Sequence, residues 1–100
     1  MTGRLDREVE RAAAKASRER RARTVRPGWW VYSPAFVGWS WRQVTKVSLF
    51  GDHERLQVRL DLVDLAGKTS YVKTSANAPA WCVSPSVAER VGLVAGERRR

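Results

Sequence analysis

One hundred residues with nineteen Lys and Arg against ten Asp and Glu, a formal charge of +9, make one small domain with a modest core and no room for a second. The single cysteine, Cys82, excludes an internal disulfide, and no Cys/His spacing would hold a metal. No run approaches the roughly 18 apolar residues of a spanning helix and residues 1–25 carry no apolar signal core, so a soluble chain is expected, cytoplasmic or carried in a virion.

In chain order, residues 2–26 read as a helix. Thr2 is placed to cap it, Asp6 and Glu8 sit near the positive end of its dipole, and Arg18, Arg20, Arg21 and Arg23 sit near the negative end. The run AAAKA over 12–16 has high helix propensity. The apolar face is thin, with Leu5 and Val9 followed only by Ala12, Ala13 and Ala16. Such a helix is expected to project, fray, or dock on something outside this chain. Pro27 and Gly28 end it.

The segment GWWVYSPAFVGWSW, residues 28–41, holds six of the nine aromatic residues. Residues 29–32 are a strand candidate halted at Ser33 and Pro34. A period of two follows through residue 50, with Val37, Trp39, Trp41, Val47 and Leu49 on one side and Ser40, Arg42, Lys46 and Ser48 on the other. Gln43, Val44 and Thr45 fall out of phase, which predicts a bulge or a bend. After a turn at 51–54, Leu56, Val58, Leu60 and Leu62 alternate inward against Gln57, Arg59 and Asp61. A hairpin loop at 66–68 returns the chain as a strand with Tyr71 and Lys73 on one face. Residues 75–81 read as irregular. Residues 84–94 read as a short helix with Ser84 as N-cap, Pro85 in the first turn, and Val87, Val91 and Leu93 or Val94 on one side.

Together these elements predict an α+β protein in three parts: a basic helical extension over 1–26, a small β-rich domain with a closing helix over 27–94, and a basic tail over 95–100. The sheet is expected to be antiparallel and strongly twisted, a half-open barrel of four or five strands of SH3-like or pleckstrin-homology-like type.

The charge excess lies mostly at the ends. Residues 1–26 carry nine basic against four acidic side chains, residues 27–94 seven against five, and residues 95–100 three against one. Fifteen of the nineteen basic residues are arginine, whose fork suits phosphate, although a bias in base composition produces the same count. Arg18, Arg20, Arg21, Arg23 and Arg26 are dense enough to grip a polyanion, DNA or RNA, without reading sequence, and Lys46, Arg59 and Lys73 extend that footprint along the sheet. Adjacent strand residues point to opposite faces, so one ring of Trp29 and Trp30 is expected outside the core, as a stacking or anchoring contact. Trp39 and Trp41 share a face with Val47 and Leu49 and are expected in the core.

The competing expectation is an interaction protein, such as a phage head–tail or capsid-associated subunit or a regulator docking on an acidic protein surface, with an exposed tryptophan at its interface. Membrane docking is disfavoured because the N-terminal helix lacks a bulky apolar face. Catalysis would have to come from His53, Asp52, Glu54, Asp61, Asp64 or Cys82, and no nucleophile, P-loop, dinucleotide or metalloprotease fingerprint surrounds them. The chain is therefore expected to be a binding module, not an enzyme, without cofactor or metal.

Overall fold

The computed structural model describes residues 3–33, 41–64 and 66–93, with side chains from residue 7 onward. The elements are α1 (Gly3–Ala16), β1 (Arg18–Arg21), a 3-10 turn (Ala22–Thr24), β2 (Trp30–Tyr32), β3 (Trp41–Phe50), β4 (Gln57–Val63), β5 (Thr69–Ser75), β6 (Pro79–Val83) and α2 (Pro85–Val91). All strand pairs are antiparallel, and the sheet is open with the order β1-β6-β2-β3-β4-β5. The α+β class is as expected, with six strands in place of four or five.

The β3–β4–β5 meander follows directly from local chemistry. Asp52 accepts hydrogen bonds from the backbone of Glu54 and Arg55, which closes the first turn, and Asp64 accepts from Ala66 and Lys68 to close the second. Between them the alternation of β4 buries Val58, Leu60 and Leu62 as expected. The bulge falls where the phase breaks, between Val44 and Lys46. Its consequence is a reversal of sides. Val44 and Val47 face the layer of Leu60 and Leu62, whereas Trp41 lies on the opposite face, so the expected grouping of Trp41 with Val47 and Leu49 is corrected.

Each face of the sheet therefore has its own apolar layer. One contains Val31, Val44, Val58, Leu60, Leu62 and Cys82, closed by Ala22 and Val25 from the 3-10 turn. Backbone bonds hold that turn in place: Ala22 and Arg23 donate to the carbonyls of Ala78 and Ala76, and Ala76 donates to Leu56, which draws the end of β1 toward the start of β4. The other layer contains Trp30, Trp41 and Val83 under the two helices, with Ala13, Ala88 and Leu93 fully packed. Full burial of large apolar side chains contributes about 1.5–3 kcal/mol each, so the two tryptophans anchor this side.

The helix expected over 2–26 ends at Ala16. The Ser17 hydroxyl bonds back to the Ala14 carbonyl, and the next four residues pair with Cys82, Trp81, Ala80 and Pro79 as the edge strand β1. Backbone pairing with an open sheet edge outweighs the helix propensity of arginine, which is high but worth only about 0.2–0.5 kcal/mol per residue. Nor does α1 project: Ala13 is completely buried, because alanines at this spacing let the helix approach the sheet and α2 closely. At the far side of that contact a Cβ on Gly92 would come within 3.3 Å of Val9. β6 is the strand that the irregular reading of 75–81 missed. α2 has its expected cap, with Ser84 Oγ accepting from the Val87 amide and Gly92 in the left-handed conformation closing the helix. Among the described residues no helix is long and apolar enough to cross a membrane. Trp39, expected beside Trp41, and the basic tail over 95–100 lie outside the described residues.

Candidate functional site

The bulge and the two tight hairpins fix a grid of side chains on the outer face of β3, β4 and β5. Register sets three rows across the strands: Lys46, Asp61 and Tyr71; then Ser48, Arg59 and Lys73; then Phe50, Gln57 and Ser75. The helices cover the same face only at its β6–β2 end, through Trp30, Trp41 and Val83, so this grid stays in solvent. Tyr71 is 53% exposed and Phe50 39%.

The charged groups are organised around the two rings. Arg59 lies with its guanidinium carbon 4.1 Å from the Tyr71 ring centroid. Its Nε donates to Asp61 Oδ1 at 3.1 Å and Nη2 reaches the same oxygen at 3.0 Å, which fixes the plane of the guanidinium over the ring. Lys73 Nζ stands 5.9 Å from the centroid of Phe50 and 5.9 Å from that of Tyr71, so the ammonium is within reach of both rings. The face offers three cations, one carboxylate and two aromatic surfaces.

The arginine run forms a second basic surface along β1 and the turn after it. Arg18, Arg20, Arg21, Arg23 and Arg26 are all exposed. Strand alternation divides them: Arg18 and Arg20 stand on the side of Cys82 and Ala80, Arg21 on the side of Pro79. Arg23 and Arg26 border an open groove of about 500 Å³ that runs down to Val47.

The sequence-predicted residues thus fall into two groups rather than one. Lys46, Arg59 and Lys73 converge on the sheet face. Arg18, Arg20 and Arg21 lie on the opposite edge strand, and Arg23 and Arg26 beside the turn that crosses the other face of the sheet toward Val47.

The two adjacent tryptophans differ in burial. Trp30 is 2% exposed beneath the helices, which removes it as a contact residue. Trp29 is half-buried against the Val31 layer, held there as its carbonyl accepts from the Val44 amide, and Arg20 covers its ring at 4.9 Å. Trp30 is covered because the helix side of β2 carries a packed layer of its own, while Trp29 keeps part of its surface in solvent. Among the described residues the exposed aromatics are Tyr32, Phe50, Tyr71 and Trp81. Of these, Tyr71 had a legible signal in its period-two pairing with Lys73, whereas Phe50 joins them only through the register across two hairpins.

Cys82 is buried and its thiol is 3.6 Å from the Arg18 carbonyl. Burial pushes its pKa up, and the charge of Arg20 pulls it partly back. A thiol kept protonated is a weak nucleophile, so the position behaves as a small apolar side chain. No family model matches this chain, and no curated protein matches its sequence.

Proposed function

We infer that this chain is a small, non-catalytic module that binds nucleic acid, DNA or RNA, through phosphate contacts with little dependence on sequence. The observation that carries the reading is the convergence of Lys46, Arg59 and Lys73 beside two exposed rings on one sheet face. Cations interleaved with accessible aromatic surface suit a polyanion whose bases also offer flat faces. The exposed arginines of β1 and its following turn add a second strip of positive charge. The scaffold is read as a half-open barrel of SH3-like type, on the support of the backbone bonds that draw the end of β1 toward β4.

Fluorescence anisotropy of the full chain with labelled single- and double-stranded DNA and RNA, over a salt series, tests this. Binding should weaken linearly on a log–log plot, and Lys46→Ala and Arg21→Ala should each reduce the slope by about one. Absence of binding at low salt overturns the reading. Removing residues 1–26 is not an informative control, because it deletes β1 and the turn that closes one apolar layer.

A second reading, a structural or interaction protein, is favoured by Trp81 and Tyr32, cross-strand neighbours that are 48% and 37% exposed. Paired aromatics in solvent suit the centre of a protein contact. Sedimentation of the wild type and Trp81→Ala separates the two: a symmetric oligomer lost on substitution supports assembly.

A further inference from the structure

The sheet face carries more than charge, and the position of one lysine narrows what fits it. Lys73 Nζ is equidistant from two exposed ring centroids, which puts those rings no more than about 12 Å apart, twice the distance from either to the ammonium. One cation within reach of two flat apolar surfaces offers the contacts that a base, a backbone phosphate and a second base would use. Resting on the nucleic-acid reading above, we propose that Phe50, Lys73 and Tyr71 form a binding site for unpaired nucleotides, with one base on each ring and an intervening phosphate on Lys73.

The chemistry of the face selects single strands over duplex. In a duplex the bases are already stacked and paired, and only their edges reach a protein, so exposed rings add nothing to the phosphate contacts. An unpaired strand presents both base faces to water, and stacking onto an aromatic side chain covers one of them. The Tyr71 ring is prepared for this. Arg59 covers one side of it and Asp61 holds Arg59 in plane, so the ring meets a base in a set orientation. Lys46, in the same row as Tyr71, lies where the backbone would continue across the sheet.

The rings rather than the charges distinguish the occupant of this face from an acidic protein partner. Asp61, in the row of Lys46 and Tyr71, engages Arg59 through a single carboxylate oxygen and so reduces the charge that Arg59 offers to any anion. A stacking ligand gains from the Arg59–Tyr71 pair where a carboxylate does not.

The test uses the full-length chain with labelled oligothymidylate, oligouridylate and a blunt duplex of equal length. Single strands should bind more tightly than the duplex. Tyr71→Ala and Phe50→Ala should each weaken single-strand binding by about tenfold, the equivalent of about 1.4 kcal/mol, and leave duplex binding within about twofold. Tyr71→Phe keeps the ring and should bind nearly as the wild type does. All three side chains are at the surface, and thermal melts of each variant report whether folding is intact. Photocrosslinking of oligouridylate should label Phe50 or Tyr71. Salt-sensitive binding that ignores the alanine substitutions, or crosslinks confined to residues 18–26, overturns the stacking site while leaving the phosphate-binding reading intact. Failure of every nucleic acid to bind at low salt overturns both, and the second reading above then stands.

Discussion

At Gly51 a single hydrogen atom decides whether the β3–β4 turn closes. Its φ is +93°, and a Cβ there would meet the Arg55 carbonyl at 2.4 Å, whereas Gly67 in the next hairpin has φ +87° and no described atom within 4 Å of a Cβ. Alanine at Gly67 should cost only the left-handed penalty of about 1–2 kcal/mol, and alanine at Gly51 distinctly more, as measured by urea denaturation of the pair. Equal losses would show that the turn relaxes to remove the clash. Cys82 sets a pH dependence. Its folded pKa is raised, so the stability it contributes is complete below the ordinary thiol value of about 8.5 and is lost as pH rises through the shifted value. The urea midpoint of the wild type should therefore fall relative to Cys82→Ala only on the alkaline side, and identical pH profiles would contradict a buried neutral thiol. Iodoacetamide should label Cys82 slowly in the native chain and quickly in urea.

At the scale of elements, α1 depends on the smallness of one side chain. Ala13 is fully buried between Trp30 and α2, so Ala13→Leu should cost about 1–3 kcal/mol by overpacking, while Ala14→Leu on the exposed side should be nearly neutral. Chemical denaturation of both variants checks it, and equal effects would mean that α1 does not hold the packed position. The elements differ in how far their residues announce them. β4 is readable because one of its sides is apolar and the other polar, and α2 because Ser84, Pro85 and Gly92 are strong end signals. β1 is not readable, since Arg-Glu-Arg-Arg has no apolar phase and is held through its backbone by β6. β6 escapes for the opposite reason. Ala80, Cys82 and Val83 are covered on both faces, and Pro79 suggests a break although the first position of a strand tolerates it. For the same reason the basic residues of the site are legible one by one, but the grid that joins Lys46, Arg59, Lys73, Phe50 and Tyr71 exists only after two hairpins set their register.

At the scale of the whole molecule, charge and packing are kept apart. The apolar layers occupy the middle of one face of the sheet and the helix-covered part of the other, and the cations occupy the rest of the second face together with an edge strand. Raising salt should therefore release a bound polyanion without much change in the melting temperature, whereas Trp30→Ala should lower stability by about 3–5 kcal/mol and abolish binding only by unfolding. Calorimetry beside anisotropy distinguishes the two kinds of loss. The extra residue at the bulge gives β3 a parity. Upstream of Thr45 the odd-numbered positions face the helix-covered layer, and downstream the odd-numbered positions face the opposite layer. Loss or gain of one residue anywhere from 42 to 48 would turn one half of the strand over, taking Trp41 out of the helix-covered layer or carrying Lys46 into the interior, while a change of two residues would preserve the sides and only slide the ladder. The length of this strand is thus constrained modulo two, and frame-preserving codon deletions in this stretch should be tolerated in pairs and not singly.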